Sequence, residues 1–299
     1  MADAGLLEIF LTATFYIGMF RFMVPITLSA LGEIVAEKSG VVNIGLEGMI
    51  MLGGLASVFV GYFTANVWLA LGAGIGVGAA VGALHAFIAI YLRGDQIVDG
   101  VGINLFAYGI GVIVLYLTWG TFANSPIIPL SARVPSIFGV SPFVPFTLIM
   151  CALVWYFLEK TTYGLRLRAV GENPEVAEAA GINVYRVRLA ATIFGAVLST
   201  LAGAFLGIDW LASYARDISA GRGFIALALV VFSKWNPLIL IGGGLLFGFF
   251  YDFAISIRSG IVPDQLLGAI PYIATLVIVS GLVGRARPPK ASGKPYKRE

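Results

Sequence analysis

Long apolar stretches alternate with short polar connections along the chain, and that alternation predicts helices that cross a lipid bilayer. Residues 5–31, 41–63, 67–92, 97–119, 142–158, 189–208, 237–257 and 265–283 form eight such stretches. A hydrocarbon core about 30 Å thick takes about 20 apolar residues per helical crossing, so each of the eight crosses or nearly crosses. A ninth stretch, 224–232, is too short. At about 1.5 Å per residue it reaches about 14 Å, half the core. It predicts a re-entrant half helix, which lipid tolerates only where protein or a water-filled cavity satisfies the backbone. The expected fold is therefore an all-α polytopic membrane protein of about eight transmembrane helices plus a half helix. Arg21 and Pro25 interrupt the first stretch and leave open one tilted helix or two shorter pieces.

Composition removes the soluble alternatives. Of 299 residues, 59% are hydrophobic and 12% charged, against roughly a quarter charged in a soluble domain. That leaves one membrane domain, 1–284, and a basic tail, 285–299. Lys160, Arg166, Arg168, Arg186 and Arg188 share one loop, and Arg285, Arg287, Lys290, Lys294, Lys297 and Arg298 the tail. An excess of Lys and Arg marks the cytoplasmic side, so loop and tail are expected there, in the cell membrane. The connection 121–141 holds a single basic residue, Arg133, and is expected outside. The side of the N-terminus stays open. Asp3 and Glu8 make the start of the chain acidic, unlike the basic start of a signal peptide, so the first apolar stretch is expected to remain as a membrane helix. The positive charge is accounted for by membrane orientation, which leaves no nucleic-acid face. A lone Cys151 supports neither a disulfide nor a thiolate metal cluster.

Glycine is frequent, at 38 residues, with runs such as Gly72-x-Gly74-x-Gly76-x-Gly78 and Gly242-Gly243-Gly244. Small residues let membrane helices approach closely, and packing is the expected role. None of these runs is a nucleotide fingerprint, and Gly-x4-Gly-Lys-Ser/Thr does not occur, so any ATP hydrolysis belongs to another chain. Within the basic loop, residues 172–181 predict a short helix with both ends marked. Asn173 caps, Pro174 suits the first helical position, Glu175 favours the positive dipole end, and Gly181 terminates in a left-handed turn. Glu172, Glu178, Ala179 and Ala180 complete it, with Val176, Ala177 and Ala180 as a small apolar face. A helix this short does not persist alone in water, so the membrane domain or a partner must hold it.

The two halves of the chain echo each other. Leu92-Arg93-Gly94-Asp95-Gln96 resembles Ile257-Arg258-Ser259-Gly260 with Asp264-Gln265, and Gly45-Leu46-Glu47-Gly48 resembles Gly221-Arg222-Gly223-Phe224. Under the orientation above the repeats are inverted, which puts a substrate site between 41–104 and 221–272.

Several segments together resemble a known family. They are Leu31-Gly32-Glu33, the run from Glu37 through Ser39-Gly40 and Asn43 to Met49, Arg168 to Pro174 with Glu178 to Ile182, Gly221 to Ala228, and Trp235-Asn236-Pro237. They are similar to the permeases of bacterial and archaeal nucleoside or simple-sugar ABC importers, relatives of the branched-chain amino-acid permeases. The resemblance implies a type II-like ABC importer membrane domain in which two permease subunits, the same or paralogous, form the channel. It implies ABC ATPase subunits that carry ATP and Mg and dock on 172–181 as a coupling helix, no cofactor on this chain, and an external substrate-binding lipoprotein that delivers the solute.

Polar groups inside lipid are functional candidates by default. Asn43, Glu47, Asp99, Asn104, Arg222 and Asp252 qualify. The Asn43 and Asn104 amides suit ribose hydroxyls and base edges, and Phe224, Tyr251 and Tyr272 suit stacking on a base. Glu47 and Arg222 have a second reading, in which they pair with each other or cap neighbouring helix ends. His85, the only histidine, is expected to be packed and hydrogen-bonded. Two other functions remain in view: an ion-coupled secondary transporter with Glu47, Asp99 and Asp252 as carriers, and an intramembrane enzyme. One His and one Cys supply no nucleophile with its base and no metal cluster, which counts against the enzyme.

Overall fold

The structure, a computed structural model, describes residues 10, 12–137, 139–256, 269–274, 277 and 286–297. Helices run alternately between a distal end, where the connection 120–142 lies, and a proximal end, where two short helices lie. α1 (Ala13–Lys38) descends from distal to proximal as one continuous helix through Pro25. α2 (Leu46–Thr64) rises, α3 (Val67–Ala86) descends and ends in a π turn (Phe87–Tyr91), and α4 (Gln96–Trp119) rises. α5 (Phe143–Lys160) descends to the short α6 (Thr162–Glu172) and α7 (Pro174–Ala179). α8 (Val184–Ala204) rises into a second π turn (Phe205–Trp210), α9 (Arg222–Phe232) descends, and α10 (Pro237–Ser256) rises. Local chemistry sets these boundaries. Asn66, Asp95, Thr161, Asn173 and Asn183 each accept backbone N–H groups at a helix start.

α8 occupies the centre, packed by α1, α2 and α3. Glycine makes these contacts close. A Cβ on Gly203 would collide with the carbonyl oxygen of Ile50 in α2, and one on Gly53 with that of Thr200 in α8. Gly32 of α1 and Gly195 of α8 meet face to face. In the α3 run only every fourth glycine packs. Gly74 and Gly78 abut Ser57 and Thr200, while Gly72 and Gly76 face open space, because a two-residue step points to the far side of a helix. The outer faces of α3 and α4 expose Trp68, Leu105 and Leu117, as a lipid-facing surface does.

Among the described residues, seven helices are long and apolar enough to cross a bilayer. The eighth expected stretch, 265–283, lies mostly outside the described residues, as do Arg258 and Asp264 of the expected repeat. The expected half helix is present, and it starts at Arg222, two residues earlier than the apolar run. Its connectivity refines the expectation. The chain leaves the π turn at the distal end, where Ser125 and Ile128 donate to the Tyr214 and Ala212 carbonyls. It reaches the proximal end at Trp235, whose indole N–H donates to Glu37 beside the Lys38–Glu159 ion pair. Residues 211–232 thus form one broken crossing, irregular in its distal half and helical in its proximal half, rather than a segment that returns to its side of entry.

Candidate translocation site

Two helix N-termini meet inside the membrane domain. α2 begins after Gly45 and α9 after Gly221, and the two helices run in opposite directions, as an inverted repeat requires. Gly221 takes φ +79°, a left-handed conformation that glycine adopts without strain and that turns the irregular half of the crossing into α9. The Glu47 carboxylate, in the first turn of α2, accepts the N–H groups of Gly221 and Gly223, each at 2.7 Å. One anion thereby satisfies two orphan donors and lies against the positive dipole ends of both helices. Of the expectations for this charge, capping holds. No Glu47–Arg222 pair occurs among the ion pairs of the described residues.

Arg222 instead enters an aromatic cluster. Its guanidinium carbon lies 5.4 Å from the Tyr251 ring centroid and 5.9 Å from those of Phe22 and Trp210. Its Nη1 donates to the Ser219 carbonyl at 3.1 Å. Phe22 and Tyr251 stack at 5.4 Å, and the π turn that ends α8 carries Trp210 edge-on to Phe22 at 4.4 Å. The Tyr272 hydroxyl donates to the Ala220 carbonyl at 2.9 Å, which places its ring against Gly221. Tyr272 is 44% exposed and Phe224 52%. Arg222, Tyr251, Tyr272 and Phe224 therefore lie beside the start of α9, with the last two on an open face.

The remaining candidates converge on the connection 39–45 and the first turn of α2. Asn104 of α4 accepts the Gly48 N–H at 2.7 Å and donates to the Ile44 carbonyl at 3.1 Å. Asn43 is 2% exposed; its amide accepts the Gly45 N–H at 2.9 Å and its own N–H donates to Glu33 at 2.8 Å. Gln96 accepts the Val42 N–H at 2.8 Å. His85 bonds Asp99 at 2.5 Å and the Val42 carbonyl at 3.1 Å, so the packed, hydrogen-bonded imidazole is found. Three helices, α1, α3 and α4, thus hold one short connection. Asp252 lies apart, against Gly18 of α1. The cluster adds residues that sequence reasoning did not single out: Glu33, Gln96, Phe22 and Trp210. Glu33 carried a legible signal, a carboxylate inside a largely apolar helix.

At the proximal end α7 has the expected caps. Asn173 accepts the Val176 N–H at 3.1 Å, Pro174 is the first helical residue, and Gly181 takes φ +82°. Its apolar face divides. Ala177 is buried against Val170, Val184 and Tyr296 of the same chain, whereas Val176, Ala179 and Ala180 are exposed beside Glu172 and Glu175. The tail, expected as a separate basic segment, folds back onto this helix. Ala291 donates to the Gly171 carbonyl at 2.9 Å, and the Tyr296 hydroxyl donates to Glu178.

Known proteins share this architecture and sequence. A solved ABC transporter in an inward-facing conformation superposes with a TM-score of 0.55 over 94% of this chain and 91% of its own, at 15% identity, and so shares the fold. Residues 15–282 match the family described as branched-chain amino acid transport system / permease component, and the chain belongs to that family. It is 35% identical to the nucleoside ABC transporter permease protein NupC of Lactococcus lactis, over 93% of this chain and 95% of the relative. It is 36% identical to the guanosine ABC transporter permease protein NupQ of Bacillus subtilis, over 92% and 93%. It is 24% identical to the glucose ABC transporter permease protein TsgB13 of Haloferax volcanii, over 86% of this chain and 74% of the relative. Membership identifies a multi-pass membrane permease and sets aside the ion-coupled and enzymatic alternatives.

Proposed function

We propose that the chain is one membrane subunit of an ATP-driven importer of nucleosides or related simple sugars, and that solute passes beside the start of α9. One observation carries this reading: a broken crossing whose capped helix end adjoins an aromatic cluster with two partly exposed rings. Broken helices mark solute pathways because their backbone needs a polar surrounding. The charges at this point are already balanced, Glu47 by two helix ends and Arg222 by three rings. That suits an uncharged solute with an aromatic face better than an ion or a phosphate ester. Phe224, Tyr251 and Tyr272 would stack on the base, while Asn43, Asn104 and Asp99 hold the wall behind them. The relatives are named for nucleosides, guanosine and glucose, which supports the class.

Uptake into proteoliposomes that hold the complete transporter tests the substrate. Tyr272→Ala should lower guanosine uptake about five- to hundredfold, the worth of one base–aromatic stack, and change ribose uptake far less. Equal losses for both solutes would remove the stacking role.

The excess of Lys and Arg at the proximal end supports a cytoplasmic position for it, with α6, α7 and the C-terminus. There α7 would couple to an ATPase subunit that binds ATP and Mg, and a second permease and an external binding lipoprotein complete the assembly. In a Cys151→Ala background, an impermeant thiol reagent added outside should label Asn124→Cys and leave Glu175→Cys untouched. The reverse pattern would invert the assignment.

A further inference from the structure

We infer that the C-terminal segment 286–297 is a strap that ties both arms of the translocation site to α7, with Arg188 and Tyr296 as its positioning residues. This inference rests on the reading of α7 as the ATPase-coupling helix.

Each arm reaches the strap through one buried side chain. The first arm is the connection 39–45, which leads into α2 and Glu47. Arg188 of α8, 1% exposed, donates from Nε to the Ser39 carbonyl at 3.1 Å and from Nη1 to the Lys294 carbonyl at 3.2 Å. One guanidinium therefore spans the connection and the strap, and its rigid planar fork fixes their separation. The close fit extends to Gly40, where a Cβ would lie 2.6 Å from Nη2. The second arm is α9. Just past its end the Trp235 indole donates to Glu37, and the Ser292 hydroxyl of the strap is a further donor to that carboxylate. Arg188 and Glu37 thus bring the two helices that meet at Glu47 onto one short segment.

The strap in turn grips the coupling helix. Ala291 binds the Gly171 carbonyl at the end of α6, and Tyr296 binds Glu178 in α7 while its ring closes the small core of Val170, Ala177 and Val184. The same ring lies 5.9 Å from the Arg188 guanidinium. α7 has six residues, too few to hold its own geometry, so its position is set by what grips it. A shift of α2 or α9 during transport must move Ser39 or Trp235, and the strap carries that displacement to α7. The segment is basic and looks like a free tail, yet Ala291, Ser292, Lys294 and Tyr296 engage the membrane domain by backbone or hydroxyl bonds that do not use those charges.

The test is the number of solute molecules imported per ATP hydrolysed by the complete transporter in proteoliposomes, a ratio that simple loss of protein does not change. Deleting residues 289–299 should leave the ATPase copurifying, make hydrolysis nearly independent of solute, and lower the ratio about tenfold. Tyr296→Phe keeps the ring and its packing and removes only the bond to Glu178. It should lower the ratio about two- to tenfold, the range for the net worth of one intramolecular hydrogen bond, and it stands as the test if the truncated chain does not assemble. Lys297→Ala should leave the ratio unchanged. Wild-type ratios in both the deletion and Tyr296→Phe would overturn the strap. Failure of the α7 reading is seen separately, as an unchanged ATPase yield from a substitution on the exposed face of α7.

Discussion

Glu47→Ala should abolish solute uptake while the protein still reaches the membrane. The Glu47 carboxylate is the partner of two backbone N–H groups at the start of α9, each at 2.7 Å. A hydrogen bond to a charged group contributes about 1.5–3 kcal/mol, so its removal leaves about 3–6 kcal/mol of unsatisfied donors where little water can reach them. α9 is too short to hold its place in lipid once its start is unpinned. Glu47→Gln keeps one acceptor oxygen and turns the other group into a donor that faces an N–H. It should therefore fall between wild type and Ala, with uptake about tenfold down. Glu47→Asp retains the charge but draws it back by one methylene, and should resemble Gln more than wild type. ATP-dependent uptake by proteoliposomes, normalised to permease content, measures all three. Wild-type uptake by the Ala variant would show that the two helix ends do not need the carboxylate.

Ala180→Arg should remove the ATPase subunit from the purified complex. Ala180 lies at the end of α7 on the face with Val176, which is 63% exposed, and Ala179. This chain buries only Ala177 of that helix, so the rest of the apolar face is free to dock a partner. A guanidinium placed at the centre of a small interface costs at least about 2 kcal/mol, or about thirtyfold in affinity. Copurified ATPase should drop accordingly, with permease yield and monodispersity unchanged, because Ala180 is exposed and an arginine there extends into open space. Retention of the ATPase at wild-type stoichiometry would exclude α7 as its docking element.

The caps of α7 were legible because each depends on residues within a turn of one another: Asn173 on Val176, Pro174 on its own ring, Gly181 on its own φ. The spans were legible from length and apolarity, with one exception of direction. A short apolar run reveals that 222–232 is half a crossing, but not where the other half runs, since residues 211–221 are irregular and mixed in polarity. Glu47 was narrowed only to pairing or capping, because its partners lie more than 170 residues away in sequence. The Asn43 and Asn104 amides were read for their capacity toward solute, and the bonds they make to the backbone of residues 44–48 were not legible. Side-chain chemistry gives the capacity of an amide, while tertiary packing decides its partner. Trp210 and Phe22 escaped notice for a related reason. A π turn rotates Trp210 out of the α-helical phase of α8, so no 3.6-residue pattern assigns it to the cluster. The tail misled through its charge: its contacts are made by Ala291, Ser292, Tyr296 and a backbone carbonyl, none of which stands out among the lysines.

The broken crossing also bears on how the chain enters the bilayer during synthesis. α8 and α10 run in the same direction, so α10 is oriented correctly only if residues 211–236 cross between them. An eleven-residue apolar helix is well short of the roughly 20 residues that partition as a unit. Its crossing is stabilised by Glu47, a residue made about 175 positions earlier. The N-terminal half thus offers a template for the C-terminal half, since the second helix end finds its carboxylate only where Glu47 is already in place.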